Sequence, residues 1–101
     1  MGAVGMAVNY KGMVQAVAAR EDFKHTTCKG AWVDELPESE YPLPLGDEAL
    51  LKAWLDDYGS VYVVWSYDTV IAYAIPGYSR VPDKKYSATT SRQQNICKKY
   101  L

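Results

Sequence analysis

The sequence predicts an α+β fold in which a small antiparallel sheet of three to four strands packs against two or three helices. Three observations lead to this prediction. Residues 48–58 repeat apolar side chains at helical spacing, whereas residues 61–65 and 70–75 are β-branched and aromatic runs joined by a short turn. The chain has 101 residues, of which 49% are apolar, and this suits a single domain over residues 1–101 with one small core.

The first half of the chain predicts one helix, one irregular strand and a long loop. Asn9 is a favourable N-cap for a helix whose apolar residues recur at helical spacing over residues 10–20. Residues 23–33 are typical of an irregular strand that Gly30 interrupts. Residues 34–46 hold three prolines and four acidic residues, which predicts a Pro-rich acidic loop.

The second half predicts two further helices and most of the sheet. Asp47 is expected to cap a helix over residues 48–58. The two β-branched runs then form a hairpin, and a Pro-Gly turn leads into a third strand over residues 78–81. Thr90 and Gln93 have the spacing of a capping box, so a terminal helix is predicted to begin directly after Thr90. The predicted order of elements is α-β-α-β-β-β-α.

The cysteine and histidine content argues against familiar catalytic and metal sites. Cys28 and Cys97 lie far apart in sequence and do not form a C-x-x-C motif. We interpret them as buried or half-buried thiols, with one long-range disulfide as the alternative. His25 is the single histidine, which leaves little room for a catalytic triad or a histidine metal centre. The sequence therefore predicts a protein that is not an enzyme and that needs no cofactor or metal.

No membrane association is expected from the sequence. No apolar run approaches the roughly 20 residues that cross a bilayer. The apolar residues 1–8 lack the basic start of a secretory signal. We therefore expect a cytoplasmic protein.

Two segments of the second half carry a resemblance to a known group of proteins. They read Ser-Tyr-Asp-Thr-Val-Ile-Ala over residues 66–72 and Tyr-Ser-Ala-Thr-Thr-Ser-Arg-Gln-Gln over residues 86–94. They resemble a loosely defined family of small uncharacterised proteins of actinobacterial phages and plasmids. Its members carry a Ser-Tyr-x-Thr-x-Ile-Ala stretch and a Tyr-Ser-x-Thr-Thr-Ser-x-His-Gln box.

The chain departs from this box at one informative position. Gln93 stands where relatives often have histidine, and a glutamine cannot act as a general base. The resemblance brings no known activity. It implies a mobile-element origin, a bacterial host cell, and an accessory role in which the protein binds host or phage machinery. Some proteins of this kind inhibit defence systems such as CRISPR complexes.

The charges are unevenly distributed along a chain whose net charge is only −1. Residues 34–57 carry eight acidic residues against one lysine, whereas residues 78–101 carry six basic residues against one aspartate. Each segment suggests a partner of opposite charge. The alternative is an ordinary solvated surface, or pairing of the two segments within a monomer or across a dimer.

Two functional hypotheses from different classes follow. The first is a protein-binding accessory protein that inhibits a bacterial defence complex, in the manner of an anti-CRISPR protein, with a host or phage protein complex as partner. Its binding residues would be Glu38, Glu40, Tyr41, Asp47 and Glu48. The second is a small DNA-associated regulator that contacts phosphates through Ser91, Arg92, Lys98 and Lys99 on the terminal helix. The sequence does not indicate an oligomeric state.

Overall fold

The computed structural model describes residues 6–84 and 86–101 and confirms an α+β fold. Its helices are α1 (Tyr10–Ala19), α2 (Leu45–Tyr58) and α3 (Ala88–Tyr100). Its strands are β1 (Met6–Ala7), β2 (Phe23–His25), β3 (Cys28–Val33), β4 (Val61–Ser66), β5 (Thr69–Ile75) and β6 (Tyr78–Arg80). In the sheet the strands lie in chain order. The pair β1–β2 is parallel and the other pairs are antiparallel. The described residues thus form more strands than the three to four that the sequence predicts.

The sheet is covered by helices on both faces. Helices α1 and α3 pack on one face, where Met13 and Ile96 meet Tyr62 in a buried cluster. Helix α2 packs on the other face, where Leu51 contacts a cluster that includes Tyr73. Because both faces of β5 are covered, every residue of that strand is buried. The near-continuous apolar run that predicts this strand is a consequence of that double burial.

Residues 23–33 form a hairpin, so the prediction of one irregular strand is wrong. Strands β2 and β3 pair in antiparallel fashion from Phe23↔Gly30 to His25↔Cys28. Thr26 turns the chain with a left-handed φ of 42°. Gly30 does not interrupt the sheet. The Phe23 ring and the Tyr62 hydroxyl occupy the space that a side chain at this position would need.

Two helix starts differ from the predicted positions. Helix α2 begins at Leu45 with Pro44 as its N-cap, so Asp47 lies inside the first turn and is not a cap. Helix α3 begins at Ala88, and the Ser87 hydroxyl accepts the hydrogen bond from the Thr90 amide. Both helices therefore begin three residues earlier than the predicted caps would place them.

Other local predictions are confirmed. The Asn9 side chain accepts a hydrogen bond from the Gly12 amide at 2.8 Å and caps α1. Gly59 ends α2 with a left-handed φ of 79°, a conformation that glycine adopts without strain. The β4–β5 hairpin covers both predicted runs and extends each by one residue toward the turn, with an irregularity in register between Val64 and Trp65, and β6 lies within its predicted segment.

Candidate functional site

One end of the sheet brings together four separate parts of the chain. These are the turn at residues 26–27, the turn at residues 67–68, the loop at residues 38–41 and the first turns of α3. We call this region the turn end of the sheet. The Tyr67 amide donates to the Thr27 carbonyl, which joins the two turns. Tyr67 itself has a left-handed φ of 56°, an uncommon conformation for a residue with a bulky side chain.

The acidic loop reaches the turn end and is held there through its backbone and the Ser39 hydroxyl. The Trp65 indole N–H donates to the Glu38 carbonyl at 3.0 Å, and the Glu40 amide donates to the Asp68 carbonyl at 2.7 Å. The Val70 amide donates to the Ser39 hydroxyl at 3.0 Å. The side chains of Glu38, Glu40 and Tyr41 are not used in these bonds and lie exposed.

The two segments that carry the family resemblance meet at the turn end. The Ser66 and Thr90 hydroxyls are hydrogen-bonded at 2.8 Å in a buried position. Both segments line a cleft of about 400 Å³ formed by Glu40, Tyr41, Ser66, Tyr67, Thr69, Tyr86, Ser87 and Thr90. Burial raises the pKa of the Tyr86 phenol, whose oxygen has no hydrogen-bond partner among the described residues. Both segments contain serine and threonine residues, and this was the one feature of the sequence that could have indicated the site. That the Ser66 and Thr90 hydroxyls meet follows only from the fold.

Gln93 does not close a capping box. Its side-chain amide donates to the Thr27 hydroxyl at 3.0 Å and so connects α3 to the β2–β3 turn. The neighbouring Gln94 donates to the Pro82 carbonyl at 3.3 Å and is also buried. These two glutamines orient the start of α3 against the sheet.

Asp47 is a buried structural group, which corrects its assignment as a partner-binding residue. It is 3% exposed, and its Oδ1 accepts hydrogen bonds from the Tyr73 hydroxyl at 2.6 Å and from Arg80 Nε at 2.8 Å. Burial, together with the bond to this carboxylate, raises the pKa of Tyr73. The bond to Asp47 also raises the pKa of Arg80. A buried carboxylate with two donors has no surface left for a partner.

The Asp47–Arg80 pair also joins the acidic segment to the basic segment. Glu48 pairs with Lys52 at 3.1 Å on the exposed side of α2, a contact of small energetic value. The Lys84 ammonium lies 5.8 Å from the centre of the Tyr41 ring. The two charged segments therefore touch at some points, while Glu38, Glu40 and Tyr41 still face solvent.

The residues of the DNA-binding hypothesis are spread along α3. Ser91 is half-buried, and Arg92 is exposed in the first half of the helix. Lys98 and Lys99 are exposed in the last turn, where basic side chains stabilise the negative end of the helix dipole. Arg92 and Lys99 are seven residues apart, which places them on the same side of the helix about 10 Å apart along its axis.

Both cysteines are free and buried, as the sequence predicts. Burial raises the pKa of Cys28 from an ordinary thiol value to about 12. Burial and the nearby Cys28 raise the pKa of Cys97 as well. Thiols in this state are poor nucleophiles, because the reactive form is the thiolate.

The raised thiol pKa values predict a loss of stability at alkaline pH. Above about pH 9 the unfolded chain loses the Cys28 proton while the folded chain keeps it, so the free energy of unfolding falls as pH rises. The stability that comes from keeping the Cys28 thiol protonated is fully present below about pH 9. It is lost as the pH rises toward the pKa of Cys28 in the folded protein, which is about 12. Urea unfolding of the wild type and of Cys28→Ala at several pH values measures this. The variant should decline less steeply, and equal slopes would contradict the assigned pKa.

His25 has a structural hydrogen bond. Its Nδ1 lies 2.8 Å from the Val8 carbonyl oxygen, which fixes the ring between α1 and the β2–β3 turn. Within residues 6–84 and 86–101 no three histidine, cysteine or acidic side chains cluster in a way that could hold a metal ion. No helix in this described part is long and apolar enough to cross a membrane.

The fold and the turn end define an α+β protein in which residues 66–72 and 86–94 contribute to one surface. The chain belongs to DUF8033, a family of unknown function. The sequence model of this family matches residues 17–98. That stretch begins within α1 and ends in the last turn of α3, so it includes both boxes and the acidic loop. The chain matches neither a curated protein nor a solved structure.

Proposed function

We propose that this chain is a non-enzymatic protein that acts by binding another protein through its acidic loop. The observation that carries the proposal is the way in which residues 38–41 are held. Two hydrogen bonds of their backbone and one of the Ser39 hydroxyl fix them to the sheet, while the side chains of Glu38, Glu40 and Tyr41 take no part in those bonds and are exposed. A surface that is ordered before binding loses less conformational entropy when a partner arrives.

The exposed side chains indicate the chemistry of the partner. Tyr41 is 55% exposed and directly follows Glu40 in the chain, and Leu45, at the start of α2, is 87% exposed. Aromatic anchors surrounded by charge are typical of protein interfaces. The complementary surface would be rich in lysine and arginine, such as a groove that handles nucleic acid. Inhibition of a bacterial defence complex by a phage or mobile-element protein belongs to this proposal and is supported by the family resemblance.

The experiment compares two charge-reversal variants of the tagged protein in capture from a nuclease-treated bacterial lysate. The loop variant combines Glu38→Lys, Glu40→Lys and Glu48→Lys. The matched control combines Glu35→Lys, Asp56→Lys and Asp57→Lys, which changes the net charge equally at other exposed positions. We expect the loop variant to lose about tenfold or more of the captured partner while the control keeps it.

Two results would contradict the proposal. Equal loss in both variants would show that only the overall charge attracts the partner. Capture of protein from an untreated lysate but not from the nuclease-treated one would show that nucleic acid mediates the contact. Circular dichroism spectra of both variants test that the fold is retained.

A DNA-associated regulator is the second candidate, favoured by the shared orientation of Arg92 and Lys99 on α3. Lys98 and Lys99 lie in the last turn of α3, where basic side chains stabilise the helix dipole without any partner. Because their position has this structural explanation, we place the DNA-binding hypothesis second. It predicts salt-dependent duplex binding that Lys98→Ala with Lys99→Ala abolishes, since phosphate contacts release counterions. Duplex binding that is insensitive to this double substitution would exclude the terminal helix as the contact.

A further inference from the structure

A cleft of about 650 Å³ lies where β3 and β4 meet the acidic loop. Its lining holds three carboxylates, those of Glu38, Glu40 and Asp68, and all three residues are exposed. Trp65 and Lys29 line the cleft as well. Three carboxylates against one ammonium give the cleft an excess of negative charge, which favours a positively charged occupant.

The Trp65 ring is a fixed aromatic surface in this cleft. It packs against the buried cluster that contains Leu51 and Tyr73, and its indole N–H donates to the Glu38 carbonyl at 3.0 Å. Part of Trp65 is still exposed. An aromatic face attracts cations through its quadrupole, and tryptophan does so more strongly than tyrosine or phenylalanine. The cleft therefore combines a cation-binding ring with carboxylates.

One of the protein's own cations already uses this ring. Lys29 lies directly opposite Trp65 in the β3–β4 register, and its ammonium lies 5.2 Å from the centre of the ring. In the part of the chain that the structure describes, this ammonium makes no ion pair with the carboxylates of the cleft. The ring thus accepts a cationic side chain, while the carboxylates beside it remain available to a partner.

We propose that this cleft binds an arginine side chain of the partner protein, which takes the place of Lys29 on the Trp65 ring. This inference rests on the function proposed above and specifies the contact that recognises the partner. A guanidinium is flat and carries five N–H donors, so it can stack on the indole and bond a carboxylate at the same time. The Lys29 ammonium makes only the contact with the ring. Lys29 is therefore a weak internal competitor for the arginine.

The test removes this competitor and measures the binding of a defined probe. The probe is an acetylated and amidated heptapeptide of alternating glycine and arginine, at about 0.15 M salt, where long-range attraction is screened. Lys29→Met keeps an unbranched side chain but removes the charge from the ring. Lys24→Met removes the same charge from the exposed residue directly opposite Lys29, and Lys24 makes no cation–π contact within residues 6–84 and 86–101. We expect Lys29→Met to bind the peptide about threefold to tenfold more tightly than Lys24→Met does.

Two further measurements use the wild-type protein. A peptide with lysine in place of arginine carries the same charge and should bind about threefold or more weakly, because an ammonium cannot both stack and pair in the fork geometry of a guanidinium. In proton–nitrogen NMR spectra the arginine peptide should shift the indole N–H of Trp65. The indole N–H of Trp32 should not move, although Trp32 is 40% exposed, because Trp32 does not line the cleft.

Three results would each overturn the arginine cleft: equal affinities of Lys29→Met and Lys24→Met, equal affinities for the two peptides, or no shift at Trp65. The function proposed above is judged separately, by lysate capture with the two charge-reversal variants. If only the loop variant loses its partner while Lys29→Met and Lys24→Met bind the peptide equally, the acidic loop still binds a protein and only the arginine cleft is wrong.

Discussion

Asp47→Ala is expected to destabilise the protein by about 2–3 kcal/mol, one of the two largest effects of a single substitution predicted here. The substitution removes the carboxylate that accepts hydrogen bonds from Tyr73 and Arg80 inside the junction of α2 and the sheet. The Tyr73 hydroxyl would keep only a weaker contact to the Asp47 carbonyl at 3.3 Å. Because the Arg80 side chain is half exposed, water can solvate its charge, and the loss stays below that of a fully buried pair.

Chemical denaturation of two further variants tests this assignment. Tyr73→Phe should cost about 1 kcal/mol, because it removes one hydrogen bond and leaves the ion pair intact. Asp56→Ala, at an exposed position of the same helix, should change stability by no more than about 0.5 kcal/mol. If Asp47→Ala and Asp56→Ala behaved alike, Asp47 would be a surface residue, as the sequence suggests, and the burial described above would be wrong.

The difference between the sequence-based and observed roles of Asp47 shows how far sequence reasoning reaches. An aspartate before an apolar helical stripe is typical of an N-cap, and local sequence favours that interpretation. Its actual role depends on Tyr73 and Arg80, which are 26 and 33 residues away. Long-range partners of this kind follow from sheet register, which local patterns do not determine.

Elements with strong local signals were predicted well. The apolar stripe of α2, the Asn9 cap and the β4–β5 hairpin each depend on residues close together in sequence. The turn end was not predicted, although both of its sequence boxes were recognised. The Ser66–Thr90 contact that joins them spans 24 residues and requires the whole intervening sheet and loop. Likewise, the sequence shows the four acidic residues of the loop but not the hydrogen bonds that hold the loop to the sheet.

Gly30→Ala is the second substitution with a large expected effect, a loss of about 1–3 kcal/mol from overpacking. An added Cβ would lie 2.9 Å from Cδ1 of Phe23 and 2.5 Å from the Tyr62 hydroxyl oxygen. Neither group can move freely. Phe23 is 1% exposed, and the Tyr62 hydroxyl donates to the Glu21 carbonyl at 2.7 Å. The strain therefore falls on the β2–β3 hairpin and on the hydrogen bond between Tyr62 and Glu21, a residue that lies between α1 and β2.

The matched control for this substitution is Gly46→Ala. No atom lies within 4 Å of a Cβ at that position in the first turn of α2, and alanine is the better helix former, so stability should be unchanged or rise by up to about 1 kcal/mol.

Phe23→Leu combined with Gly30→Ala should cost less than the sum of the two single changes, because the smaller side chain frees space for the new methyl group. Strict additivity in this double-mutant cycle, measured by urea unfolding, would place the clash elsewhere. Coupling between the two positions would establish that Gly30 is required by the Phe23 ring.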